Sequence, residues 1–200
     1  SNRWMKGRQM TAEDFGFEQW FVETMMGLAP DPEKIQVDGA PGDMTDFASN
    51  KAFSVSFASG MMPGPFGMAT ILPELAAVTK IQMDLLYKIA KYHGRLDKVN
   101  RTLVLYVFGC SLGVTAGRLL VQRAGTRLIV KALSTQAAQK IAAAIGARIG
   151  SSFVQRSAGR WICMATAPVF ALLSKRMTEK IGGYAEDLFR QDIEIETIEG

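Results

Sequence analysis

From Lys98 to Thr178 the chain contains no aspartate or glutamate. A stretch of this kind cannot neutralise itself. Its lysines and arginines must meet carboxylates from elsewhere in the chain, an external polyanion, or water. The rest of the sequence is arranged as if to answer it. Residues 1–79 carry 5 basic against 10 acidic side chains, residues 80–180 carry 17 against 3, and residues 181–200 carry 1 against 6. The formal net charge of +4 therefore hides segments of −5, +14 and −5.

The length of 200 residues suits one domain with appended arms, and 48% apolar with 21% charged residues argues against both a disordered chain and a wholly apolar membrane protein. The single histidine and the two distant cysteines, Cys110 and Cys163, argue against a protein-built metal site and a disulfide framework. Nothing in the sequence asks for a cofactor. No apolar run follows the early Arg3, Lys6 and Arg8, as a secretory signal would require, and two thiols without a framework fit a reducing compartment. Three stretches lack charge: Ala52 to Pro73, Thr102 to Gly117 and Trp161 to Ser174. Only the first reaches the roughly 20 residues of a straight span, and Gly60, Pro63, Gly64, Pro65 and Gly67 interrupt it. All three read as core helices of a soluble or peripheral protein.

Helical signals run along most of the chain. Thr11 opens a helix that stops at Gly27, and residues 29–44 form a loop. Asp43 or Thr45 caps a short helix to about Ser59, before the turn from Gly60 to Gly67. Leu75, Val78, Gln82, Leu85, Leu86, Ile89 and His93 make a stripe at helical spacing, closed by Gly94 as a left-handed cap. Asp97 caps the next helix, which runs through Thr102–Gly117. Residues 118–157 read as two helices breaking near Gly125 or Ser134, and residues 160–190 as a helix or pair breaking near Pro168 or Gly182-Gly183. Ile193 and Ile195 alternate with glutamates in a short extended acidic tail. The expectation is an all-α single-domain helical bundle: an acidic helical arm over residues 1–59, a core over 60–190 and a tail over 191–200.

Two patterns inside the core bear on function. Gly109, Gly113 and Gly117 lie four apart, as do Ala138, Ala142, Gly146 and Gly150, which puts small residues on one helix face and lets backbones approach closely. This serves a tight crossing in an ordinary core, or a hairpin that pairs inside a lipid-binding bundle. Arg123, Arg127 and Lys131 also lie four apart and form a row on one helix face, extended by Arg118, Arg148 and Arg156. Basic helices with apolar flanks suit an anionic membrane surface. The rival readings are neutralisation by the acidic ends or by a protein partner. Nucleic acid has the least support, because the basic region offers few aromatics for stacking and no recognisable binding signature. At the turn, Met61, Met62 and Phe66 are candidates for shallow insertion. Glu74, Gln82 and His93 form a candidate polar site, with bland roles for each: a first-turn acid, a buried amide with a partner, and a C-terminal side chain bonding the last carbonyls. Cys110 reads as an inert core thiol. No motif of a known catalytic class is present.

Pro63-Gly-Pro-Phe-Gly67, Leu72-Pro-Glu-Leu75, Gln82 and Ile89-Ala-Lys-Tyr-His-Gly94 resemble the pattern of the EcsC family, as do the later Ala167-Pro-Val-Phe-Ala171 and Lys180-Ile-Gly-Gly-Tyr-Ala185. The likeness is diffuse and spans residues 60–190. The chain departs from the family pattern at Glu74, where the family favours Asp, at the inserted His93, and at Phe170, which replaces a Gly. The resemblance implies a bacterial, helical, membrane-associated protein without established chemistry, and the expected location is cytoplasmic, peripheral to the inner membrane. The functional expectation is a non-enzymatic lipid-binding protein that docks on anionic membrane. The alternatives are a soluble interaction module whose basic bundle is masked by a partner or its own tail, and a pore-forming or effector-type toxin.

Overall fold

The computed structural model describes residues 24–25, 27–61, 71–159 and 167–196. Helices take up most of them: α1 (Pro41–Gly60), α2 (Ile71–Tyr92), α3 (Arg101–Ser111), the single turn α4 (Thr115–Arg118), α5 (Thr135–Gly159) and α6 (Ala167–Phe189). Three short strands, β1 (Val121–Ala124), β2 (Arg127–Val130) and β3 (Asp192–Ile195), make one small sheet in the order β1-β2-β3. The fold is a helical single domain, as the periodicity predicts, with a sheet at one end. Of the Thr11 helix only residues 24–25 and 27 are described, and they are helical; the rest of it and the Gly-Pro turn beyond Met61 lie outside the described residues.

Local chemistry fixes the helix boundaries. Pro41 occupies the first position of α1, and the Asp43 carboxylate reaches back to accept the Ala40 N–H at 3.3 Å. This helix therefore starts ahead of the expected cap and runs for 20 residues. Asn100, not Asp97, caps α3, its side chain accepting the Leu103 N–H at 3.0 Å; Asp97 sits in a 3-10 turn over Leu96–Lys98. α2 and α3 both close on a glycine in the left-handed region, Gly94 (φ 66°) and Gly113 (φ 72°). In each the paired bonds of a Schellman cap are made: Arg95 N–H to Ala90 C=O and Gly94 N–H to Lys91 C=O, then Val114 N–H to Gly109 C=O and Gly113 N–H to Cys110 C=O. Gly113 thus ends a helix expected to run on to Gly117. Gly109 and Gly117 still meet, face to face across the corner. A Cβ on either would stand 3.1 Å from the other's Cα.

The stretch 121–130 is a correction to the helical reading. Gly125 and Thr126 form a two-residue loop, and Val121 pairs antiparallel with Val130, Arg123 with Leu128 and Ala124 with Arg127. Arg123 and Arg127 therefore fall on opposite faces of a hairpin, and Lys131 follows the strand. The three do not form a row on a helix. β3 then adds in parallel beside β2, Leu128 opposite Ile193, with Leu128, Val130 and Ile193 buried in the main core. Ser134 is the cap of α5, its Oγ accepting the Ala137 N–H at 3.2 Å. α6 is unbroken through Gly182-Gly183, and Pro168 lies in its first turn.

The tightest packing is between α1 and α6, which run antiparallel. Gly60 meets Ala167, Ser56 Oγ is 2.7 Å from Ser174 Oγ, and Gly182 meets Thr45. Ala48, Ala52, Ser56 and Gly60 on α1 are small, buried and four apart. Around this pair α2, α3 and α5 supply the large apolar side chains, among them Leu86, Ile89, Leu105, Phe108 and Ile145.

A Cβ on Gly60 would lie 2.8 Å from Ala167 Cβ and 3.0 Å from its Cα, so backbone must move. Gly60→Ala should lower stability by about 1–2 kcal/mol, overpacking outweighing the gain in helix propensity. Gly183→Ala, with nothing within 4 Å, should raise stability by up to about 1 kcal/mol. Urea denaturation of the two variants beside the parent checks both signs.

Candidate functional site

α2 and α6 run parallel, pinned by two side-chain bonds. Gln82 Nε2 donates to Thr178 Oγ1 at 3.1 Å, and one helix end further on His93 Nε2 lies 2.7 Å from Glu186 Oε2. Thr178 passes its own hydroxyl hydrogen to the Ser174 carbonyl at 2.9 Å. These bonds satisfy polar groups that burial would otherwise penalise.

Between α2, the end of α3, α5 and α6 lies a cavity of about 340 Å³. Leu75, Val78, Leu112, Ile149, Leu173 and Met177 give it apolar walls. Thr79, Gln82, Ser111 and Ser174 give it a buried polar floor, and Arg176 and Lys180 stand exposed at its edge. Neither cation has a carboxylate of the described residues within ion-pair distance. Gln82 is 1% exposed and spends one amide hydrogen on Thr178; its second hydrogen and its carbonyl oxygen bond to none of the described residues.

A second groove, of about 800 Å³, lies between α1, α2 and the 28–38 segment. Its charges are mixed in sign, and several are already engaged. Lys88 pairs with Asp84 at 3.1 Å, and Asp43 holds the α1 terminus. The smaller cavity has an uncompensated positive edge and unused hydrogen-bonding capacity, and is the better candidate.

The expected polar trio is not gathered. Gln82 lines the cavity, Glu74 is buried two turns earlier on α2, and His93 sits about 16 Å further along that helix, at 1.5 Å per residue. His93 bonds Glu186 across to α6 rather than its own terminal carbonyls. The basic residues are spread over several elements. Arg118 is exposed at the end of α4, Arg123 Nη2 donates to Gln191 Oε1 at 3.3 Å, Lys131 is exposed after β2, and Arg148 is exposed on α5. Arg127 lies 3.7 Å from both Asp192 and Glu194 on β3, and Arg95 lies 3.2 Å from Asp192. The Arg156 side chain, Met62 and Phe66 lie outside the described residues. Met61 is exposed at the end of α1.

Sequence reasoning missed the apolar surface beside Met61. Phe57 precedes it by one helical turn and stacks on Phe53 with ring centroids 6.0 Å apart. At the same end of the α1–α6 pair, Val169, Leu172 and Leu173 are 56%, 42% and 49% exposed. The signal was available in the spacing of Val169, Leu172 and Leu173 on one helical face. No helix among the described residues is long and apolar enough to cross a membrane. Nor does any group of three or more His, Cys, Asp or Glu among them suit a metal ion.

Cys110 is buried, and burial pushes its thiol above the usual range. Arg118 and a hydrogen bond with the Tyr106 hydroxyl pull it down, less strongly. In a Cys163→Ser background, iodoacetamide at pH 8 should alkylate Cys110 at least about tenfold more slowly in the folded protein than in urea, because the thiolate is both scarce and covered. Equal rates would show an accessible, reactive thiol.

No protein-family model matches the chain, and no curated protein and no solved structure resembles it.

Proposed function

We propose that this chain is a non-enzymatic, EcsC-like helical domain that docks on the anionic cytoplasmic face of a membrane. The observation that carries the reading is the apolar collar of Phe57, Met61, Val169, Leu172 and Leu173, exposed where α1 ends and α6 begins. Clustered exposed apolar side chains mark an interaction surface, and the cations behind them choose the partner. Lys175, Arg176 and Lys180 follow on the next turns of α6. Near an anionic leaflet each such charge contributes about 1 kcal/mol at low salt, while the apolar side chains sink to the acyl boundary. The acidic strand β3 follows the other end of α6, about 30 Å away at 1.5 Å per residue, where it does not oppose the contact. The sequence likeness over residues 60–190 supports the same reading.

Flotation with phosphatidylglycerol vesicles at low salt tests it. The parent should float and lose binding in high salt, and the double variant Val169→Glu/Leu172→Glu should remain at the bottom of the gradient. A parent that ignores anionic vesicles, or a variant that floats equally well, would overturn the reading.

A second reading concerns the hairpin, which the tail partly neutralises. Asp192 and Glu194 flank Arg127 from the adjacent strand. These pairs are solvent-exposed and individually weak, but they lower the positive field that a polyanion would meet. The double variant Asp192→Asn/Glu194→Gln should elute from heparin at higher salt than the parent. Unchanged elution would show that the tail masks nothing.

A further inference from the structure

We propose that the cavity between α2, α3, α5 and α6 holds a single acyl chain bearing an anionic head, with the head between Gln82, Arg176 and Lys180 and the chain directed towards the apolar collar. The inference deepens the membrane-docking reading and rests on it for the source of the ligand. The site itself rests on separate observations.

The first is the polarity of the cavity along the bundle. Gln82 is bonded to Thr178, so it lies at the level of Arg176 and Lys180 on α6. Leu75 and Leu173 lie at the other end of the cavity, on the side of Val169 and the helix start. The charges therefore stand at one end, while the other, past Thr79 and Ser174, reaches Leu75 and the exposed collar through Leu173, which belongs to both. A ligand that matches must carry charge at one end only.

The second is the sign of that charge. The cavity lining contains two cations and no carboxylate, and neither cation is paired among the described residues. Arg176 and Lys180 are one helical turn apart and so can face one anion together. The third is the amide of Gln82. A side chain 1% exposed and lining the cavity retains a donor and an acceptor that meet no described group, which a ligand inside the cavity can use. Its free N–H can donate to an oxygen of the head while the cations hold its charge. The volume of about 340 Å³ is at the small end of small-molecule pockets, which run to about 1,000 Å³, and this suits one chain rather than two.

Calorimetric titration of the whole chain with lauric acid below its micellar range, with dodecan-1-ol as the uncharged probe of equal length, reads the site directly. Lauric acid should bind saturably with one-to-one stoichiometry. Arg176→Gln/Lys180→Gln should weaken it by about tenfold or more while changing dodecan-1-ol little, and Gln82→Leu should weaken lauric acid selectively. Leu173→Trp, at a half-exposed position that leaves the core intact, should block both probes; the melting curve confirms that each variant is folded. Absence of saturable lauric acid binding, or equal affinity in the doubly neutralised variant, would overturn the proposal. The outcome separates from that of flotation. Vesicle binding without lauric acid binding removes the cavity ligand and keeps the docking surface, and the converse removes the docking surface and keeps the site.

Discussion

The close approach of α1 and α6 is the constraint on which the rest of the structure depends. Small residues at four-residue spacing let the two backbones come near enough that Gly60 and Gly182 have no room for a methyl group. Hydroxyls within the seam satisfy one another, as Ser56 and Ser174 do, so polar atoms are buried without loss. Bringing two helices together this way leaves little large apolar surface on their shared face. The large side chains of α2, α3 and α5 then pack around the pair, and the two ends of the seam define the two ends of the molecule. At one end lie Met61 and the start of α6; at the other lies the sheet.

Charge follows this axis. The acid-free stretch is not a single basic face. Its residues are distributed over α3, the hairpin, α5 and the first half of α6, and the carboxylates that answer them come from both sides in sequence. The tail meets the hairpin through Arg127 and the segment after α2 through Arg95, whereas Arg176 and Lys180 on α6 have no such partner among the described residues. A chain close to neutral in composition is thereby strongly polarised along its length.

Much of this was legible in the sequence, for reasons that differ from element to element. The stripe from Leu75 to Ile89 is a two-sided pattern with large apolar residues facing one way, and Gly94 stops it by a mechanism that only glycine performs without strain, so α2 and its cap follow directly. The hairpin was hidden because Arg123, Arg127 and Lys131 happen to repeat at helical spacing, although Gly125-Thr126 before Leu128-Ile129-Val130 is a hairpin signal of at least equal weight. The α1–α6 seam was hidden for another reason. Its buried residues are alanine, serine and glycine, which carry little hydropathy contrast, so the periodicity of 48, 52, 56 and 60 does not stand out from a solvated helix. In the candidate site, the chemistry of Gln82 was legible as a buried amide in need of a partner, but its neighbours Ser111, Arg176 and Lys180 are brought to it by tertiary contacts that no local pattern encodes.

The corner at Gly113 bears on how such a cavity persists. Ser111 and Leu112 form part of its wall because α3 terminates there, and the termination is written in backbone conformation rather than in the size of any side chain. Substitutions drifting through the lining can reshape the space or alter what it prefers, yet the helix still ends in the same place. A void of this origin is inherited with the fold, and its contents are free to diversify while its existence is not.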